Sequence, residues 1–269
     1  MIGIVGSGNL AWHLAGVLPD RSTVLFRAVD DMRRWPVPLL PLTAVAHREW
    51  EALILAVPDA AISEVSHLLA SVVDPETPVI HTSGATPLGR ISDVFRNRGV
   101  CWPIRSLRKG EPVSDWRDLP LVLQADAPGS RDFLTAFAGG LTDRIAWLDD
   151  RQRAQLHLAA VFSNNFVTAL YDVAFELCAA QAVPFDLLLP IIRHTAGSQD
   201  GSRPALRQTG AAARGDRGTM DRHLDLLHQP AYRHLYRSIS DLILQYRLAE
   251  HHPDLGGEAD DDFKDEGVV

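Results

Sequence analysis

The chain of 269 residues is 46% hydrophobic and 22% charged, enough for one large domain or two ordinary ones around a sizeable core. No uninterrupted apolar run approaches the roughly 18 to 20 residues of a membrane span, and the opening Ile2-Gly3-Ile4-Val5 is no secretory signal, so neither a membrane nor export is expected. The formal charge of −8 sits at the end, where seven acids against one base from Asp254 onward leave −2 for the rest, with no basic stripe to hold nucleic acid.

The first half alternates β-rich runs (2–5, 23–27, 52–57, 78–81, 119–124 and 144–148) with amphipathic stretches (9–18, 60–71, 88–97 and 129–138). Such alternation predicts an α/β fold, a doubly wound parallel sheet of Rossmann type. Leu53-Ile54-Leu55-Ala56-Val57 is apolar on both faces, as a central parallel strand should be. From Asp149-Asp150, a plausible N-cap pair, the pattern turns all-helical. One long helix is predicted over 151–181, then helices at 184–194, 216–228 and 230–250, with 197–218 mostly loop. The expected organisation is a dinucleotide domain over 1–148, an all-α domain over 149–250 for substrate contacts and dimerisation, and a disordered acidic tail over 251–269.

The strongest motif is Gly6-Ser7-Gly8-Asn9-Leu10-Ala11, placed between the first strand and the first helix. Gly6 permits a tight turn, Gly8 lets backbone approach a pyrophosphate, and Ala11 is small enough for helix–strand packing. The helix N-terminus adds N–H groups and partial positive charge. The second strand ends in Leu25-Phe26-Arg27, an arginine where an NAD-binding chain would place a ribose-binding acid. A guanidinium suits the 2′-phosphate of NADP, with Arg33 and Arg34 as further charge or plain surface residues, while Asp30 and Asp31 come too late to be the ribose acid.

Together with Ala56-Val57-Pro58-Asp59, His81-Thr82-Ser83-Gly84, His157 through Asn165-Phe166, and Gln208-Thr209-Gly210 through Arg214-Gly215-Asp216, this motif resembles a family. The chain is similar, up to about Leu248, to bacterial Rossmann-like proteins described as NADP oxidoreductases, which carry a helical domain of unknown function and have a poorly defined reaction. They are distant relatives of pyrroline-carboxylate reductase and of deazaflavin-dependent NADP oxidoreductases. The resemblance implies an NADP-dependent oxidoreductase acting on a small C=O or C=N substrate. It departs at Trp102-Pro103-Ile104-Arg105-Ser106-Leu107, where the family tends to begin with histidine, and at Thr209-Gly210-Ala211-Ala212, where it has proline after the glycine.

Strand exits should line the cofactor crevice, which adds Val57, Pro58, His81, Ser83 and Gly84 to the turn residues. Ser83 could also put a hydroxyl near the reacting ring, Asp59 reads first as a helix cap, and His81 reads equally as a core histidine. On an ideal helix His157, Asn164 and Thr168 share one face, with Asn165 about 100° round. His157 is then either a proton donor or a hydrogen-bonded core or interface residue, and Asn165 or Asn164 would orient a carbonyl or imine. Thr209 and Arg214 are substrate-side candidates, Arg214 as a carboxylate clamp or as the ion partner of Asp216. The chain has only two lysines, Lys109 and Lys264, so no helix lysine can serve as the acid. Cys101 and Cys178 have no metal-ligand spacing and fit a reducing cytoplasm, so no metal is expected. A homodimer through the helical domain is expected. The competing reading is an NADP-binding regulatory or scaffold protein without turnover.

Overall fold

The computed structural model describes residues 1–27 and 35–251; Asp30, Asp31, Arg33, Arg34 and the tail beyond residue 251 lie outside the described residues. Eight strands form one sheet: β1 (Ile2–Val5), β2 (Ser22–Phe26), β3 (Leu39–Pro41), β4 (Ala52–Leu55), β5 (Val79–His81), β6 (Arg98–Pro103), β7 (Leu121–Ala125) and β8 (Ile145–Trp147). Their order is β3-β2-β1-β4-β5-β6-β7-β8. All neighbouring pairs are parallel except β6–β7, which turns the last two strands antiparallel to the rest. The first six strands follow the Rossmann order, so the α/β expectation holds.

Strand alternation divides the core. Ile2, Ile4, Ile54 and Ile80 join α1 (Asn9–Val17) and α3 (Pro128–Gly139) on one face. Val5, Leu53 and Leu55 join α2 (Ile62–Ala70) on the other.

Two strands escape the sequence reading. β3 is three residues at the sheet edge, ending at Pro41 in a proline-rich stretch. β6 begins directly after the helix expected over 88–97, which is only a 3₁₀ turn at Leu88–Arg90. The apolar spacing of Leu88, Ile91 and Phe95 reflects burial of an irregular segment. Its backbone bonds elsewhere: Ser92 N–H donates to the Ser66 hydroxyl of α2 at 3.0 Å, and Arg96 N–H to the Pro75 carbonyl at 2.9 Å.

The chain forms two compact units, the first ending at Val167 and the second beginning at Thr168. The division falls inside the long helix rather than near 149, because the helix's first half belongs to the sheet unit. That half, α4 (Asp150–Ala160), opens on a capping box in which Asp149 accepts from Gln152 N–H at 2.7 Å and Gln152 accepts from Asp149 N–H at 3.1 Å. Leu156 and Ala160 pack on Leu88, Val100, Trp102 and Val122. Arg153 is almost wholly buried and ties three elements together. Its guanidinium donates to the Gln124 side chain of β7, to the Thr86 carbonyl at 2.6 Å and to Asp150 at 2.7 Å.

After α4 the helix widens to π geometry over Val161–Phe166 and resumes as α5 (Val167–Ala179). By length and composition the helix Asp150–Ala179 contains an 18-residue window apolar enough to cross a membrane, with a mean hydropathy of 1.2, and none of that window is buried. The absence of a continuous apolar run conceals this, since single polar residues such as Ser163, Asn164, Asn165 and Thr168 interrupt it. The second unit continues with α6 (Leu189–Gly197), α7 (Ala211–Arg214), α8 (Arg217–Leu226) and α9 (Pro230–His251). Among its described residues only Leu227 and Ser240 are buried.

Removing the Arg153 guanidinium would strand its buried acceptors. Arg153→Ala is expected to lower unfolding stability by about 3–5 kcal/mol, read from urea denaturation, whereas a change within experimental error would show the hub to be dispensable.

Candidate functional site

The strand order reverses between β1 and β4, and the crevice at their carboxyl ends has a volume of about 720 Å³. Gly6, Ser7, Gly8, Asn9 and Leu10 line it, with Arg27, Val57 and Pro58, so these sequence candidates converge. Gly6 has φ +130°, and a Cβ there would lie 2.2 Å from the Ala56 carbonyl oxygen. Any side chain would push β1's exit off β4. Gly8 has the opposite property: a Cβ would meet nothing within 4 Å, so its backbone borders open space. No side chain caps α1 and no acid lies in its first turn, which leaves the helix N-terminus electropositive toward the crevice. Ala11 is fully buried, as the helix–strand contact requires.

Arg27 closes β2 on the crevice wall and pairs with Glu64 of α2 at 3.0 Å, both side chains being exposed. Asp59 also lines the crevice and makes no capping hydrogen bond, so the capping role expected of it is not found. Thr82, from the strand-exit segment expected to line the crevice, does so, while Leu42 and Val65 are lining residues that the sequence reading missed. Thr82 sits directly after β5 and donates its hydroxyl to the Leu55 carbonyl at 3.2 Å.

The next two residues do other work. The Ser83 hydroxyl donates to Thr86 Oγ1 at 2.9 Å and accepts from the Ala85 and Thr86 N–H groups at 3.2 and 2.9 Å. It is used up within its own turn and does not line the crevice. His81 is fully buried and accepts the Ser83 N–H on Nδ1 at 3.2 Å. Burial, and then the charge of Arg153, lower its pKa from 6.5 to about 4, against the opposing effects of Asp150, Asp59 and a backbone hydrogen bond at Pro87. The core reading of His81 is therefore the one the structure supports. Burial alone would raise the Asp150 carboxyl, but the Leu88 N–H and Arg153 hold it below its ordinary value.

Gly84 backs onto a second cavity of about 370 Å³, lined by Trp102, Pro103, Ile104, Arg105, Ser106, His157, Ala160, Val161, Ser163, Asn164 and Asn165. A Cβ at Gly84 would lie 2.5 Å from His157 Nδ1 and 2.6 Å from the Trp102 ring. Trp102, which stands where the resemblance would put a histidine, meets His157 edge-on with ring centroids 5.3 Å apart. His157 Nδ1 is buried without a hydrogen-bond partner. Asn164 donates to the Ser106 hydroxyl at 2.7 Å. Asn165, about 100° round from Asn164 on an ideal helix, lines the same cavity as Ser163, Asn164 and His157, within the segment of π geometry. Thr82 and Gly84 are two residues apart, so the crevice and the cavity share a wall within about 7 Å of backbone. The loop after β6 also serves both: Ser106 meets Asn164, and Lys109 N–H donates to Asn9 Oδ1 at 3.1 Å.

Thr209 and Arg214 belong to the second unit. Asp216 there caps α8 through the Thr219 N–H at 3.0 Å and hydroxyl at 2.7 Å. Among the described residues no cluster of histidine, cysteine or acids could hold a metal ion.

Residues 23–104 match the Rossmann-like domain family, and residues 119–243 match the domain of unknown function DUF2520. A solved protein named as a putative NADP oxidoreductase from Bacteroides fragilis is 30% identical, over 91% of this chain and 97% of its own, with a TM-score of 0.81. A protein of known structure from Thermotoga maritima is 18% identical, over 93% of this chain and 100% of its own, with a TM-score of 0.69. Pyrroline-5-carboxylate reductase from Coxiella burnetii shares the fold at 14% identity, over 92% and 97%, with a TM-score of 0.55. The curated proteins contain no match.

The His81 environment has a consequence for acid stability. The folded form holds the ring neutral down to about pH 4, while an unfolded histidine takes up a proton near pH 6.5. Stability should therefore fall as pH drops from 6.5 to about 4, by about 3 kcal/mol in total from this group. Urea unfolding across that range should show the loss in the wild type and not in His81→Asn, which keeps an acceptor for the Ser83 N–H. Equal losses in both would assign the acid sensitivity to another group.

Proposed function

Because the chain belongs to the family that couples a Rossmann-like domain to this domain of unknown function, we propose that it is an NADP-dependent oxidoreductase acting on a small molecule with a C=O or C=N bond. The observation that carries the reading is the open Gly8 backbone at the strand-order switch, facing an uncapped helix N-terminus, with Arg27 on the same wall. These features fit a dinucleotide. Gly6 through Leu10 would hold its pyrophosphate, Val57, Pro58 and Thr82 would flank it, and Arg27 would take the 2′-phosphate. When bound, the nicotinamide supplies or accepts a hydride.

The chain's own part lies in the neighbouring cavity. A proton on His157 Nδ1 would be a buried N–H without an acceptor, a cost of about 1–3 kcal/mol. The ring therefore serves best as a hydrogen-bond donor through Nε2, with Asn165 and the Ser106–Asn164 pair orienting a polar group beside it. Ser83 has no free hydroxyl to offer and drops out of the catalytic set. Arg27 is now shared with Glu64, whose carboxylate competes with a phosphate for the guanidinium.

The second unit carries the oligomeric part of the proposal. Phe166, at the end of the first unit, and Leu170, Phe175, Leu177, Leu187, Ile191 and Leu226 of the second expose large apolar side chains, and a unit with two buried described residues has almost no core of its own. Asp172 and Glu176 interrupt the α5 face, and each would be unfavourable by about 3 kcal/mol at the centre of a bilayer. A second copy of the chain suits this mixed surface better than lipid does.

Arg27→Ala is expected to weaken NADPH binding about 10- to 100-fold, the worth of a charge-assisted hydrogen-bond pair, and to leave NADH nearly unchanged. Glu64→Gln should tighten NADPH binding. Fluorescence titration checks both, and tighter binding of NADH by the wild type would remove the NADP assignment. Light scattering should give a dimer that Phe175→Glu with Ile191→Glu converts to monomer, and a monomeric wild type, or one that partitions into vesicles, would count against the pairing.

A further inference from the structure

The cavity beside the crevice has a one-sided charge pattern. Ser106, Ser163, Asn164, Asn165 and His157 make its polar wall, Trp102 closes one side, and no aspartate or glutamate lines it. Arg105 is its one guanidinium. That side chain is exposed and forms no ion pair or hydrogen bond with any described residue. Its starting point is nevertheless held: Arg105 N–H donates to the Pro103 carbonyl and Ile104 N–H to the Pro120 carbonyl, both at 3.0 Å, at the exit of β6. Other arginines near the sheet's carboxyl edge already have carboxylate partners, Arg27 with Glu64 and Arg153 with Asp150.

We infer that this cavity binds a small carboxylic acid, with Arg105 gripping the carboxylate. The fork of the guanidinium matches a carboxylate through two parallel, charge-assisted hydrogen bonds. A cationic ligand would meet only like charge there. A volume of about 370 Å³ is at the small end of ligand sites and admits a metabolite-sized acid rather than a peptide. His157 and Asn165, both on the cavity wall, then remain for the acid's second polar group. The inference rests on the proposed function for its meaning: a carboxylate held by Arg105 would place a reducible C=O or C=N of the same molecule beside the wall shared with the dinucleotide crevice.

The test uses the full chain, with and without NADPH, and a panel of 2-oxo and 4-oxo monocarboxylates of increasing length. Their uncharged amides and inorganic phosphate serve as controls. Calorimetry gives affinity, and the NMR signals of the Trp102 indole N–H and the His157 ring give location. At least one acid should bind and shift both signals, while its amide should not. Arg105→Gln should weaken that acid about 10- to 100-fold, and Arg105→Lys should recover part of the loss. The inference is overturned if no acid binds, if amides bind as well, if phosphate binds at least as tightly, or if Arg105→Gln changes nothing. NADPH binding measured on the same samples separates the two readings. NADPH bound without any acid removes the carboxylate site alone, and an acid bound without NADPH removes the cofactor reading and leaves the site.

Discussion

A side chain at position 6 would have to occupy the space of the Ala56 carbonyl oxygen. That close approach of β1's exit to β4's exit is what the rest of the site depends on. It lets the chain turn at once into α1, so that the helix N-terminus and the Gly8 backbone open onto the point where the strand order reverses. The parallel strands then deliver their following residues to the same edge: Arg27 after β2, Val57 and Pro58 after β4, Thr82 after β5 and Arg105 after β6. A crevice for a phosphate-bearing molecule and a neighbouring cavity are consequences of the topology before any chemistry is invoked.

The second anchor is Arg153. Its bonds to Gln124, the Thr86 carbonyl and Asp150, and the Asp150 carboxylate's acceptance of the Leu88 N–H at 2.9 Å, lash α4 to the loop that follows β5. His157 lies four residues on, on the same helix face, and so arrives against Gly84 and Trp102. The residue that occupies the family's histidine position is thus part of the packing around another histidine. Trp102 supplies shape, His157 supplies a polar nitrogen, and Gly84 is small because both rings need the space.

The helical unit shows the opposite economy of structure. Asp216 caps α8 with its side chain, yet Leu170, Phe175, Leu177, Leu187, Ile191 and Leu226 of this unit are exposed. Among the described residues of this unit, exposed apolar side chains outnumber buried ones, which is the basis of the proposed pairing of two copies.

Much of this was legible in the residues themselves. Gly6, Gly8 and Ala11 announce a phosphate-binding turn because only small residues tolerate those contacts, and Asp149 announces a helix start because its side chain can close a capping box. The resemblance carried by these motifs named the right family. Other features needed three dimensions. Leu88, Ile91 and Phe95 have helical spacing but bury an irregular segment, since periodicity reports which residues are covered and not what covers them. Ser83 and His81 look like site residues until their hydrogen bonds and burial are seen. Arg105 looks like surface charge until the cavity beside it is seen. Local sequence determined the turn, the caps and the alternation, because those depend on neighbours within a few bonds. Only the tertiary structure decided which polar atoms keep a free face, because that depends on groups distant in the chain.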